Sequence, residues 1–256
     1  MTADRFAAIG SEISRVDADG ALDRVRQRPG EGAGGYVCFT NVHAAVTGCQ
    51  EPAFQKVTNG SFLSLADGKP VYWLARLLGD REVGHVPGPD FMLLALDRLR
   101  DRRHFFYGST TQVLELLKAR MEARFPGLQV CGTLSPPFRT LTAADVDLHH
   151  AQIRESGAEY VWVGLGAPKQ EMWMSANASA LRPAVLFGVG AAFEFHSGVT
   201  RRAPVAMRRL GLEWLFRLAA EPRRLWKRYL VTNTLFVTYV LRDLASRAIG
   251  QRRTRR

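Results

Sequence analysis

The chain has 256 residues, 46% of them hydrophobic, which is enough apolar material for a sizeable core and too much for a disordered chain. Its net charge is +11, and its three cysteines, Cys38, Cys49 and Cys131, are odd in number and lack CxxC spacing, which speaks against a disulfide framework and a zinc cluster. No apolar run reaches the roughly 18 residues of a spanning helix, and the opening MTADRFAAIG lacks the basic and apolar regions of a signal peptide.

In chain order, short runs rich in Val, Phe and Tyr predict strands over 36–40, 104–108, 128–132, 160–164 and 184–190. The first ends at Thr40 and Asn41. The next three close on Gly108, Gly132 and Gly164, and the last runs into Gly188 and Gly190. Helical periodicity covers 89–99, 110–124, 143–156 and 168–181, and on 110–124 it places Val113, Leu116, Leu117 and Met121 on one face. Apolar strands alternating with amphipathic helices predict an α/β fold, a Rossmann-like, mainly parallel sheet flanked by helices. Ligands of such sheets gather beyond the carboxyl ends of the strands.

Past residue 200 the composition changes. Residues 201–256 carry 15 Lys and Arg against 3 Asp and Glu, while 1–200 carry 20 against 21. Pro204 and Pro222 suit the first turns of helices, so two basic amphipathic helices are expected here. On the second, Leu225, Tyr229 and Leu230 form the apolar face, and Arg224, Lys227 and Arg228 project elsewhere. The reading is of two parts: an α/β domain over 1–200 and a basic helical appendage over 201–256. Such an appendage attracts an anionic membrane surface or a ligand's phosphates.

Three loops carry residues fit for chemistry. In SLADGKPVYWLARLLG (64–79), Asp67 stands just before a helix, where a carboxylate serves either as a capping turn residue or as a general base. The segment VWVGLGAPKQE (161–171) runs from a strand through Gly164 and Gly166 into a helix. Glycines let a ligand approach the backbone, the helix start offers N–H groups to an anion, and Lys169 and Gln170 would face the same crevice. In FGVGAAFEFHSG (187–198), Glu194 is the polar residue to watch, while His196 reads as a hydrogen-bonded structural histidine. Asp145 and Asp147 have DxD spacing but sit at what looks like a capped helix start, and His149 and His150 diverge on a helix. No metal site and no cofactor are expected. The absence of GxGxxG with a following ribose-binding acid argues against a dehydrogenase, and of GxSxG against a hydrolase elbow.

The runs FYGSTTQVLELLKARMEARFPGLQVCGTLSPPFR (106–139), VWVGLGAPKQEMWM (161–174), GVGAAFEFHSG (188–198), RRAP (201–204), RLGLEWLFRL (209–218) and EPRRLWKRYL (221–230) together resemble the WecG/TagA/CpsF glycosyltransferases, glycosyltransferase family 26. The resemblance spans roughly residues 37–237. It implies an inverting transfer of a hexose, such as N-acetylmannosamine, glucose or a uronate, from a UDP-sugar donor. The implied acceptor is linked to undecaprenyl pyrophosphate, in exopolysaccharide, capsule or teichoic acid assembly.

By the same resemblance Asp67 is the base, Asn41 is the asparagine of the first strand-end motif, with Thr40 adjacent as a candidate substrate contact, and Gln170 is the functional glutamine. Arg217, Arg224 and either Lys227 or Arg228 match positions for diphosphate contact, and Arg202, in RRAP, is a further candidate for substrate binding. Three positions depart from the pattern: Phe39 where a threonine is usual, His85 in GHVPGPD (84–90) where an arginine precedes the G-x-D triplet that ends at Asp90, and Glu194 where an aspartate is common. The expected location is cytoplasmic, peripheral on the inner face of the cell membrane, and a homo-oligomer is compatible with it. The competing reading, a basic nucleic-acid-binding protein, leaves unexplained why the chemical-looking loops lie in the near-neutral first 200 residues.

Overall fold

The computed structural model describes residues 4–28, 32 and 34–254, with the side chains of 224 and 250–254 outside that description. A hairpin opens the chain, β1 (Arg5–Ala8) and β2 (Ser11–Ser14), joined by Ile9 and Gly10, which both take positive φ as a tight hairpin turn requires. There follow α1 (Ala18–Gln27), β3 (Gly35–Thr40), α2 (Val42–Gln50), α3 (Pro52–Asn59), β4 (Leu63–Ala66), α4 (Lys69–Leu77) and α5 (Gly88–Arg98). The second half comprises β5 (Arg103–Gly108), α6 (Thr111–Arg124), β6 (Gln129–Leu134), α7 (Ala143–Glu155), β7 (Tyr160–Gly164), α8 (Lys169–Asn177), β8 (Val185–Gly188) and α9 (Ala192–Ser197). The chain ends with α10 (Val205–Arg209), α11 (Glu213–Ala220) and α12 (Pro222–Thr254).

Six strands form one parallel sheet in the order β4-β3-β8-β7-β5-β6. Alternation along each strand splits the core in two. Phe106, Trp162 and Phe187 face α5, α6 and α9, whereas Phe105, Tyr107, Val161 and Val163 face α7 and α8. Trp162 and Phe187 stack at 4.3 Å between ring centroids in the first layer. All the strands therefore end together at one rim, which is where the loops identified above collect.

The α/β class, the parallel sheet and the five expected strands are all present. Two features differ from expectation within the sheet domain. β4 is an additional strand, four residues of LSLA, and it is the one that delivers Asp67. On α6 it is Leu114 rather than Leu116 that joins Val113, Leu117 and Met121 in the core; Leu116 is 39% exposed.

The C-terminal region departs further. Its first expected helix is broken into α10 and α11 at Gly211, whose φ of +73° and close approach to Trp73 both demand a residue without Cβ. α12 is a single helix of 33 residues. Its buried face is Leu225, Thr232 and Phe236, with Leu230 62% exposed, so Leu230 leaves the apolar face assigned to it. Phe236 packs into a cluster with Phe6, Ile13, Val46 and Val71, tying α12 to the hairpin, α2 and α4. Among the described residues no helix is long and apolar enough to cross a membrane.

Candidate active site

A cleft of about 1770 Å³ lies beyond the carboxyl ends of the strands, walled on one side by the strand-end loops and on the other by α10, α11 and the first turns of α12. Parallel pairing of β3 with β4 sets Thr40 beside Ala66, so the next residues, Asn41 and Asp67, emerge side by side. The Asp67 N–H donates to the Thr40 carbonyl at 3.1 Å, fixing this emergence. Asn41 caps α2 through its Oδ1, which accepts from the Ala44 N–H at 3.1 Å, and that leaves its Nδ2 to donate to Asp67 Oδ2 at 3.3 Å. The Gly88 N–H, at the start of α5, donates to Asp67 Oδ1 at 2.8 Å. His85 Nε2 lies 3.0 Å from the Asp67 carbonyl oxygen.

Burial pushes the Asp67 carboxyl up to about 6, against the opposing pull of the Gly88 N–H and the Asn41 amide. A carboxylate of that strength at the floor of a cleft is placed to take up a proton near neutral pH. Burial, with Lys69 close by, lowers His85 to about 4, so its ring is neutral at physiological pH and adds no cationic charge to the cleft.

From the other strands come the glycine-lined walls. Gly164 admits the Phe193 ring to within 2.6 Å of where a Cβ would sit, and Gly166 takes φ +77° on the way into α8. Gln170, on the first turn of α8, donates from Nε2 to Glu171 Oε1 at 2.8 Å and to the Gly188 carbonyl at 2.9 Å. Gly188, Gly190 and Lys169 complete this wall. At the end of β5, Ser109 adopts φ +53° and donates to Glu194 Oε1 at 3.1 Å.

The cationic wall is uneven in its freedom. Arg202 grips Asp90 bidentately at 2.6 and 3.0 Å and reaches Glu213 at 3.2 Å, and Arg208 adds a contact to Asp90 at 3.1 Å. Burial opposes ionisation of Asp90, yet the Arg202 guanidinium holds its carboxyl below the ordinary range. Arg202 and Asp90 are thus a structural latch between α5 and the α10–α11 segment. Arg217, 5.7 Å above the Phe195 ring, and Arg228, 5.5 Å from the Tyr229 ring, line the cleft opposite the strand ends.

Most of the residues expected in the site meet here: Asp67, Gln170, Asn41 and His85 at the floor, the four glycines from 164 to 190 with Lys169 and Glu194 on the walls, and Asp90, Arg202, Arg217 and Arg228 facing them. Four do not. Thr40 is buried and shares a hydrogen bond with Ser64 at 2.8 Å. Gly108 is glycine because a Cβ would meet the Gly164 backbone at 2.6 Å, and Gly132 because it would meet the Phe105 ring at 2.5 Å. Lys227 lies over Trp226 at 5.5 Å, away from the lining. The Arg224 side chain, and those of 252–256, lie outside the described residues.

Sequence reasoning missed Lys69, Trp73, Ser109, Phe138, Arg208 and Trp214, all of which line the cleft. All but Arg208 stood within the segments singled out above, but nothing local marked which of their residues turn toward the cleft; Phe138 is 88% exposed at the mouth. Asp145 is confirmed as part of a helix start: it closes a capping box with Thr142 and pairs with Arg139 at 2.5 Å. His149 and His150 diverge to Tyr107 and Asn177, and His196 bonds the Pro89 carbonyl at 2.9 Å. Among the described residues no three His, Cys, Asp or Glu side chains form a metal-holding group.

The family model described as "Glycosyl transferase WecG/TagA/CpsF family" matches residues 6–249. An N-acetylglucosaminyldiphosphoundecaprenol N-acetyl-beta-D-mannosaminyltransferase of Bacillus spizizenii is 29% identical over 211 residues, 82% of this chain and 79% of the relative. Enzymes of the same name from Bacillus subtilis strain 168 and Staphylococcus aureus strain NCTC 8325 are 29% and 26% identical, covering 77% and 69% of this chain and 75% and 66% of theirs.

Proposed function

The chain belongs to the WecG/TagA/CpsF glycosyltransferase family, and we propose that it moves N-acetylmannosamine, or a closely related hexose or uronate, from a UDP-sugar to an acceptor carried on undecaprenyl pyrophosphate, with inversion. The names of its relatives support both the sugar and the lipid-linked acceptor. The observation that carries the reading is Asp67, a carboxyl raised to about 6 at the floor of the cleft and faced by Arg217 and Arg228.

In the proposed step the acceptor hydroxyl oxygen bonds the anomeric carbon from one side. The bond from that carbon to the donor's phosphate oxygen breaks on the other, and the hydroxyl proton passes to Asp67. UDP departs with its charge balanced by the cations of α11 and α12, an electrostatic role suited to guanidinium groups. The nucleic-acid reading has no support left, because the chain belongs to a glycosyltransferase family. We further propose that the protein sits on the inner face of the membrane, with the exposed Trp226 and Lys227 at the lipid surface. The deciding experiment offers purified protein a panel of UDP-sugars with a short polyprenyl-pyrophosphate N-acetylglucosamine acceptor and reads product mass. A product one N-acetylhexosamine heavier is expected with UDP-N-acetylmannosamine, and no product with any donor would overturn the reading.

A further inference from the structure

Two buried oxygens beside the cleft have no hydrogen-bond partner: Gln170 Oε1 and Glu171 Oε2. Gln170 is 5% exposed and lines the cleft, so an unpartnered amide oxygen there is a site built for something absent. Its orientation is dictated by its neighbours. An amide nitrogen has two protons to give and an amide oxygen has none. Glu171 Oε1 at 2.8 Å and the Gly188 carbonyl at 2.9 Å are both acceptors, so they claim both protons and fix the amide with its oxygen turned away from them. The reversed amide would set its oxygen against the Gly188 carbonyl, which has no proton to give. Beside that oxygen stands Gly190, where a Cβ would lie 3.3 Å from Oε1; the missing side chain keeps the approach open.

We propose that Glu171 is a positioning residue that holds the Gln170 amide in this sense, so that the subsite receives a hydrogen-bond donor of the sugar nucleotide, a ring hydroxyl or an acetamido N–H, and not a phosphate oxygen. The proposal rests on the nucleotide-sugar reading of the cleft. It gives one oxygen of the carboxyl buried within α8, Glu171 Oε1, a use that offsets part of the cost of its burial, and it separates the chemistry of Gln170 from that of the arginines opposite.

The test has two arms. In free protein labelled with ¹⁵N, the Gln170 side-chain amide, assigned by its loss in Gln170→Leu, should exchange with solvent much more slowly than surface amides. Fast exchange would overturn the proposed orientation. In the second arm, kcat/KM is measured with UDP-N-acetylmannosamine and with analogues that lack one hydroxyl or the acetamido N–H at a time. The wild type should reject the analogue missing the matched group by about 10- to 100-fold, the range expected when a buried acceptor is left unpaired. Glu171→Gln, which keeps an acceptor in place, should retain that rejection, and Glu171→Leu should reduce it to less than about 3-fold by the same reasoning.

A folded Glu171→Leu enzyme with unchanged discrimination would overturn the proposal, as would a wild type that turns over every analogue equally. Should Glu171→Leu not fold, the exchange rate and the wild-type analogue series decide. No turnover with any sugar nucleotide would instead remove the transferase reading, whatever the amide does.

Discussion

Asp67 shows how a single side chain is prepared by residues far from it in sequence. Its carboxyl receives one N–H from Gly88 and one from Asn41, which orient it without fully compensating its burial. If it is the base, transfer should rise with pH through about 6 and level off above, and Asp67→Asn should lower kcat by roughly 100- to 10,000-fold while UDP still binds, as measured by calorimetry. Stability should move the opposite way. The folded-state value lies above the ordinary carboxylate value, so the stabilising protonated form is fully present below pH 4 and is lost as pH rises through about 6. At pH 8 Asp67→Asn should therefore melt roughly 2–4 °C higher, with no gain at pH 4, as read by circular dichroism. The proposed counter-charges for UDP are side chains, so transfer should persist in EDTA; loss restored by Mg²⁺ would contradict this. Asp67 was legible as a carboxylate just before a helix, and Gln170 because a glycine-bearing strand end runs into its helix. Gly108 and Gly132 look the same locally, but the contacts that make them glycine come from Gly164 and Phe105, and no single-sequence pattern distinguishes a glycine kept for a ligand from one kept for a neighbouring strand or ring.

At the scale of elements, the α10–α11 segment reaches the cleft because the Asp90 latch holds it against the first turn of α5. Arg202 is the better buried partner, with 14% of its side chain exposed against 44% for Asp90, so screening discounts the pair to about 1 kcal/mol of stability. Its effect on the cleft should exceed its effect on folding. Asp90→Ala should lower the melting temperature by only about 2–4 °C, yet cut kcat/KM at least tenfold and speed tryptic cleavage among the arginines of 201–209; unchanged cleavage and activity would show that the segment is held by packing alone. Because Arg202 keeps Asp90 below the ordinary carboxylate range, the latch contributes above that range and is lost only as the pH falls through the lowered value. The strands 36–40, 104–108 and 160–164 were legible from continuous apolar runs because each is buried on both faces. LSLA was not, being four residues with a serine and an alanine, yet it inserts beside β3 through the same ladder. The break at Gly211 was hidden too, since the reason for it is Trp73 on α4, over a hundred residues earlier.

Over the whole molecule, charge and packing divide differently. The sequence sets a basic 201–256 apart from a near-neutral 1–200, but α12 is no loose tail: Leu225 and Phe236 are buried, and Phe236 belongs to the cluster around α2 and the hairpin. Removing the segment would strip that cluster as well as the charge, so loss of membrane binding in a truncated protein would not reveal its cause. Neutralising exposed cations separates the two. Arg223 and Lys227 are exposed on the first turns of α12, outside the cleft, beside the exposed Trp226 and Leu230. Each basic residue near an anionic surface contributes about 1 kcal/mol, so the double change to glutamine should weaken binding to vesicles containing anionic lipid by about 30-fold and flatten its salt dependence. Turnover of a short, water-soluble acceptor should stay within about twofold, because neither residue touches the cleft and the packed face of α12 is unchanged. Transfer to an acceptor embedded in vesicles should fall with the binding. If the double variant binds vesicles as the wild type does, the membrane contact lies on another face, and the excess charge of α12 serves the diphosphate inside the cleft through Arg228 alone among its described side chains.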